Sequence, residues 1–145
     1  MILSAAEIVS RLESKDAPGN LVIRPYNRES QQPASYDLRA AEETRLPCGT
    51  CTLLPTLEWV GLPMDLAGTI RCRSSFGRRG VLLGAGFVDP GFRGQLTLCL
   101  TNMGKEEIII HKNDRIAQMI LHEVRNPGEC YSGRYQDSLG AVDAK

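Results

Sequence analysis

The chain has 145 residues with 42% hydrophobic content, enough for one domain, spanning 1–145, with a real core and too little for a second. Lys plus Arg and Asp plus Glu both number 17, so no global field draws the chain to nucleic acid or to an anionic membrane surface, and any polyanion site must be local. No apolar run approaches the ~20 residues of a membrane span and no basic region precedes a hydrophobic core at the N-terminus, so a cytoplasmic protein is expected; five cysteines, an odd number, fit a reducing compartment better than a disulfide framework.

Ser4-Ala-Ala-Glu7 reads as a capping box, with Ala5, Ile8, Val9 and Leu12 on one face of a short helix that ends by Pro18-Gly19. Leu21 to Tyr26 is a brief strand, and Asn27 to Pro33 a polar loop without chemistry of its own. Asp37, in Tyr36-Asp37-Leu38-Arg39-Ala40, is an acid in a strand, able to hydrogen-bond a neighbouring loop. Cys48-Gly-Thr-Cys51 is a CxxC without a second pair, and Pro47 and Gly49 favour a turn between strands there over zinc or redox chemistry.

The stretch from Gly68 to Gly94 concentrates the chemistry. Arg71, Arg73, Arg78 and Arg79 surround the hydroxyl pair Ser74-Ser75, with Gly68, Gly77 and Gly80 spaced for backbone amides to approach a ligand. Guanidinium forks, small hydroxyls and free N–H groups at a turn or helix start suit a phosphate. Val81 to Val88 then leads to one acid, Asp89, in the turn Asp89-Pro90-Gly91, where Pro90 presets the turn and Gly91 can take the positive φ of a type II turn.

Strand Gln95 to Thr101 alternates, with Leu96, Leu98 and Leu100 on one face and Gln95, Thr97, Cys99 and Thr101 on the other. Glu107 to His111 and Arg115 to Val124 are further strands. The tail from Asn126 to Lys145 is rich in Gly, Ser and charge, with Tyr131 and Tyr135 as its large anchors, and is expected to be mobile without ligand. Many short strands punctuated by Gly and Pro, with one terminal helix, make an all-β sandwich or barrel.

Arg73-Ser74-Ser75 with Gly80, then Gly86-Phe87-Val88-Asp89-Pro90-Gly91-Phe92-Arg93-Gly94, then Asp114-Arg115-Ile116-Ala117-Gln118-Met119-Ile120, resemble, in order and spacing, three motifs of the dUTPase and dCTP deaminase superfamily. The opening Met-Ile-Leu-Ser, Ile23-Arg-Pro-Tyr-Asn27 and Ala34 to Leu38 are closer to dCTP deaminases. The resemblance implies a distorted jelly-roll, a homotrimer with sites between subunits, a deoxynucleoside triphosphate substrate and Mg2+. It assigns phosphate binding to Arg73, Ser74, Ser75, Gln118 and Arg134, and the nucleoside to Gly84, Ala85, Gly86, Phe92 and Tyr135. Asp37 would meet the metal through water, and residues 126–145 would close as a lid, although the Phe-containing glycine-rich motif of typical dUTPases is missing. Arg115 and Asp114 are assigned to structure.

Two activities share this scaffold. Deamination needs a carboxylate beside the base, and in dCTP deaminases it lies ten residues beyond the Asp of the turn; here that residue is Cys99. Asp89 occupies the position of the dUTPase acid that activates water, with Phe92 in place of the usual Tyr. The resemblance therefore implies dUTP hydrolysis with Asp89 catalytic. The alternatives are a deaminating or bifunctional enzyme in which another acid such as Glu58 substitutes, a nucleotide sensor without turnover, and a diphosphatase of broader base choice.

Overall fold

In the computed structural model, residues 1–13, 20–84 and 86–144 are described. Helix α1, Ala5–Glu13, opens as expected: the Glu7 amide donates to Ser4 Oγ at 3.3 Å. The other half of the capping box is not made, because Arg11 at i+4 takes the Glu7 carboxylate at 3.0 Å instead. The expected stop at Pro18-Gly19 lies outside the described residues.

Eleven strands follow: β1 Val22–Arg24, β2 Gln31–Gln32, β3 Ser35–Arg39, β4 Thr44–Leu46, β5 Cys51–Gly61, β6 Leu66–Cys72, β7 Val81–Gly84, β8 Phe87–Val88, β9 Arg93–Asn102, β10 Ile108–Ile110 and β11 Arg115–Glu123. A second short helix, α2, is Ser74–Gly77. They form a five-stranded sheet ordered β2-β3-β11-β6-β8, a four-stranded sheet ordered β1-β5-β9-β7, and the pair β10-β4. This is a jelly-roll sandwich whose core is supplied by the inward residues of both large sheets, among them Tyr36, Leu38, Leu54, Leu66, Leu100 and Met119. Among the described residues no helix is long and apolar enough to cross a membrane.

The two apolar runs around Pro55 are one strand, not two. A register shift between Pro55 and Trp59 lets β5 continue past Pro55 against β9, and Thr56 fills the irregularity by donating to Glu58 O at 2.8 Å and accepting from the Leu96 amide at 3.0 Å. The alternation read for β9 holds at its centre, where Leu98 and Leu100 are buried.

Candidate active site

The register of the five-stranded sheet opposes Gln118 on β11 to Asp37 on β3 and to Arg71 on β6. Directly paired residues share a face, so these three polar side chains form a row across the sheet. Where β6 ends, Arg73 caps α2 and Ser74 and Ser75 begin it, in the first turn, whose amides have no intrahelical acceptor. Both serines are exposed. The Arg73 amide donates to Ile116 O at 3.1 Å, which pins the start of α2 to β11. Its side chain donates through NH1 to Arg115 O at 3.3 Å and sets Nε 3.2 Å from Asp37 Oδ2. The structure thus brings Arg73, Ser74, Ser75, Gln118 and Asp37 together at one end of the sheet.

Arg115 belongs to this cluster as well, with NH1 3.7 Å from Asp37 Oδ2. Strict two-residue alternation puts Arg115 and Gln118, three apart, on opposite faces. The shift between Arg115 and Ala117 reverses that parity and turns both toward Asp37. Asp37 is 1% exposed. Burial pushes its carboxyl above the usual carboxylate range, against the pull of Arg73 and then Arg115. The glycines expected to offer amides nearby do not. Gly77 and Gly80 donate to Arg73 O and Gly77 O, and Gly68 lies inside β6 with the Val88 side chain 3.3 Å from where a Cβ would sit.

The nucleoside side of the expected site is built by the connection between β7 and β8. Gly84 pairs with Cys99 of β9, and Gly86 O accepts from the Ile70 amide at 2.6 Å. Ala85 lies outside the described residues. Thr69, Ile70, Arg71, Gly86 and Phe87 line an open cleft of about 450 Å3 there. At Gly86, φ is +111°, and a Cβ would stand 2.9 Å from Ile70 O, so only glycine lets this backbone lie on β6. Gly86→Ala is expected to lower the unfolding free energy by about 1–3 kcal/mol, read as a reduced urea midpoint at unchanged m-value.

Asp89 is exposed on the turn the sequence implies: the Phe92 amide donates to Asp89 O at 3.2 Å, and Gly91 takes φ +80°, the type II arrangement. The Phe92 ring is 7% exposed because Tyr131 packs edge-on against it at 5.7 Å. The expected mobile tail is laid along its own chain. Tyr131 N donates to Pro90 O, Arg93 N to Gln136 Oε1, Gly140 N to Gln95 Oε1 and Val142 N to Thr97 Oγ1. The polar face of β9 carries the tail, with Arg134 and Tyr135 exposed on it.

Two side chains bear on the choice of chemistry, Cys99 opposite Gly84 and Glu58 on β5. Burial, and less so the neighbouring Cys51, pushes the Cys99 thiol up, so it is protonated at neutral pH. Glu58, the candidate substitute, is fully buried with its two oxygens taken by the Arg39 amide at 2.8 Å and Arg39 Nε at 2.6 Å. At 0% exposure it is closed to a nucleobase. All five cysteines are free, and the CxxC is a turn, with Gly49 at φ +74°.

Gly86 lies beside Ile70 and Arg71 and so near the phosphate cluster, but Asp89 does not meet that cluster within one chain. Val88 pairs with Gly68, which brings Asp89 level with Ala67 near the start of β6, while Arg73 lies beyond its end. Six residue steps separate those levels, about 20 Å at 3.3 Å per residue.

Residues 40–124 match the family model described as dCTP deaminase-like. The chain belongs to the dCTP deaminase-like family. A dCTP deaminase of Thermococcus sibiricus is 38% identical over 134 residues, covering 81% of this chain and 86% of that protein. A dCTP deaminase, dUMP-forming, of Aquifex aeolicus is 30% identical and covers 100% of this chain and 94% of its own length. Among solved structures the EIAV dUTPase superposes with a TM-score of 0.64 at 22% identity over 80% of this chain and 98% of that one. The family therefore joins the dUTPase fold to relatives named for deamination.

Proposed function

We propose that the chain hydrolyses dUTP to dUMP and diphosphate. The observation that carries this reading is two side chains: a protonated thiol, Cys99, opposite Gly84 where deamination needs a carboxylate, and an exposed carboxylate, Asp89, in the turn that follows β8. A protonated, half-buried thiol cannot shuttle protons to a ring nitrogen and to departing ammonia near neutral pH, and Glu58 is held by Arg39.

Asp89 accepts a proton from water, whose oxygen attacks the α-phosphorus. The bond to the α,β-bridging oxygen breaks, and the electron pair leaves with diphosphate. Arg73, Ser74, Ser75 and Gln118 hold the triphosphate, joined by Arg134 from the tail, which acts as the lid, and their donors meet the charge that develops on the leaving group. Backbone at Gly84, Ala85 and Gly86 reads the uracil edge. Phe92 with Tyr135 packs the deoxyribose, which requires Tyr131 to move off the Phe92 ring. With Asp89 and Arg73 about 20 Å apart along one chain, one copy supplies the acid and a neighbour the phosphate cluster, in a homotrimer.

Among the described residues no group of three His, Cys, Asp or Glu side chains could hold a metal ion, and the buried Asp37 Oδ2 already faces two guanidinium groups. These residues do not form a seat for a resident Mg2+, so magnesium is written here as the counter-ion that the triphosphate substrate brings with it.

The relatives named as dCTP deaminases, one of them dUMP-forming, favour a second reading, deamination of dCTP. Purified protein offered magnesium with dUTP or dCTP decides between them, with phosphorus NMR for diphosphate and an ammonia assay in parallel. Diphosphate from dUTP without ammonia from dCTP is the expected result; ammonia from dCTP reverses the assignment.

A further inference from the structure

We infer that Asp37 is a buried charge anchor shared by Arg73 and Arg115, and that Arg115 is thereby a positioning residue for the triphosphate. The inference rests on the reading of Arg73 as a phosphate ligand, and it replaces the metal role that the resemblance gave Asp37.

The Asp37 side chain is 1% exposed, whereas those of Arg73 and Arg115 are 30% and 38% exposed. The acid therefore sits beneath its two bases, and substrate can reach only the bases. Its Oδ2 has no aligned hydrogen bond among the described residues, yet Arg73 Nε and Arg115 NH1 stand 3.2 Å and 3.7 Å away. Charge, not a directed hydrogen bond, holds that oxygen. A buried carboxylate that loses its counter-ion is strongly unfavourable, and Arg73 must share its fork with phosphate oxygens when substrate binds. Arg115 then supplies the remaining compensation.

Arg115 is mounted for that task. Its NH1 donates to Glu29 O at 2.7 Å, in the 3-10 turn Arg28–Ser30, whose cap Asn27 accepts from the Glu29 amide at 2.9 Å. Its own carbonyl accepts from Arg73 NH1 at 3.3 Å, so Arg115 touches Arg73 through both its backbone and the shared acid. The polar loop from Asn27, which carries no chemistry by itself, thus becomes part of the support of the phosphate site. Two guanidinium groups at one oxygen also oppose the approach of a dication to it.

The test is calorimetric binding of the non-hydrolysable α,β-imido analogue of dUTP to the full chain, with magnesium and again with EDTA. The proteins are wild type, Asp37→Asn, Arg115→Met, Arg115→Lys and the Asp37→Asn/Arg115→Met double variant, each checked by thermal melting. Asp37→Asn and Arg115→Met are each expected to weaken binding ~10-fold. The double variant is expected to lose no more than Asp37→Asn alone, since Arg115 has then no charge to balance. The penalties persist in EDTA, and Arg115→Lys, which keeps the charge, binds within ~3-fold of wild type. Wild-type affinity in Arg115→Met, losses that simply multiply in the double variant, or an Asp37→Asn penalty confined to magnesium each overturn the inference and leave the phosphate site standing. If Arg115→Met does not fold, Arg115→Lys decides: a loss as large as that of Asp37→Asn means that the bond to Glu29 O matters and the charge does not. A wild-type protein that binds no nucleotide overturns the proposed function and the inference with it.

Discussion

Asp89→Asn is expected to reduce dUTP turnover by roughly three orders of magnitude, the upper part of what a positioned general base contributes, while nucleotide affinity changes little. The substitution replaces one carboxylate oxygen by an amide on an exposed side chain. The turn survives it, because the bond that closes the turn uses the Asp89 carbonyl and the Phe92 amide and Gly91 supplies the positive φ. The loss should therefore fall on the chemical step, seen as slow single-turnover release of diphosphate beside an unchanged dissociation constant for the α,β-imido analogue. Activity within tenfold of wild type would remove Asp89 from the role of base.

Mixing two inactive variants should restore activity. In one chain Asp89 comes level with Ala67 near the start of β6, and Arg73 follows its end, so the proposed site draws on two copies. Asp89→Asn abolishes the acid of one half-site and Arg73→Ala the phosphate clamp of the other. Co-refolded in equal amounts into cyclic trimers, they leave about a quarter of the interfaces with both groups intact. The recovered rate is expected near that share of wild type, against almost nothing for either variant alone. No recovery, with mixed trimers shown by native mass spectrometry, would place both residues in the site of a single chain. The prediction needs no new contact, only the direction in which β6 separates its two ends.

The motifs were legible because their chemistry is local. Asp89-Pro90-Gly91 encodes its turn within three residues, through a preset φ at Pro90 and the left-handed freedom of Gly91. Alternation along Leu96, Leu98 and Leu100 assigned the core face of β9 from period alone. Arg115, assigned to structure from the sequence, faces Asp37 because a register shift intervenes, and nothing in Asp114-Arg115-Ile116-Ala117-Gln118 announces a bulge. Glu58 remained a candidate base for a different reason. Its burial against Arg39 joins residues 19 apart, which no local pattern encodes. The reading of Gly68, Gly77 and Gly80 as amide donors erred in the opposite direction: glycine spacing permits a backbone approach, but hydrogen bonds inside β6 and α2 had already consumed it.

Residue type and spacing by themselves determined the all-β class, the basic hydroxyl segment around Ser74 and Ser75, the acid turn at Asp89 and the thiol at Cys99. Each of these depends on neighbours a few positions away or on a side chain's own chemistry. Which groups share a site was decided by the tertiary structure. Strand pairing laid Asp37, Gln118 and Arg71 in one row, buried Asp37 beneath two guanidinium groups and carried Asp89 to the far end of β6. Pairing register and burial are set by contacts between segments tens of residues apart, whose balance of packing and desolvation exists only once the sheets have closed over a common core.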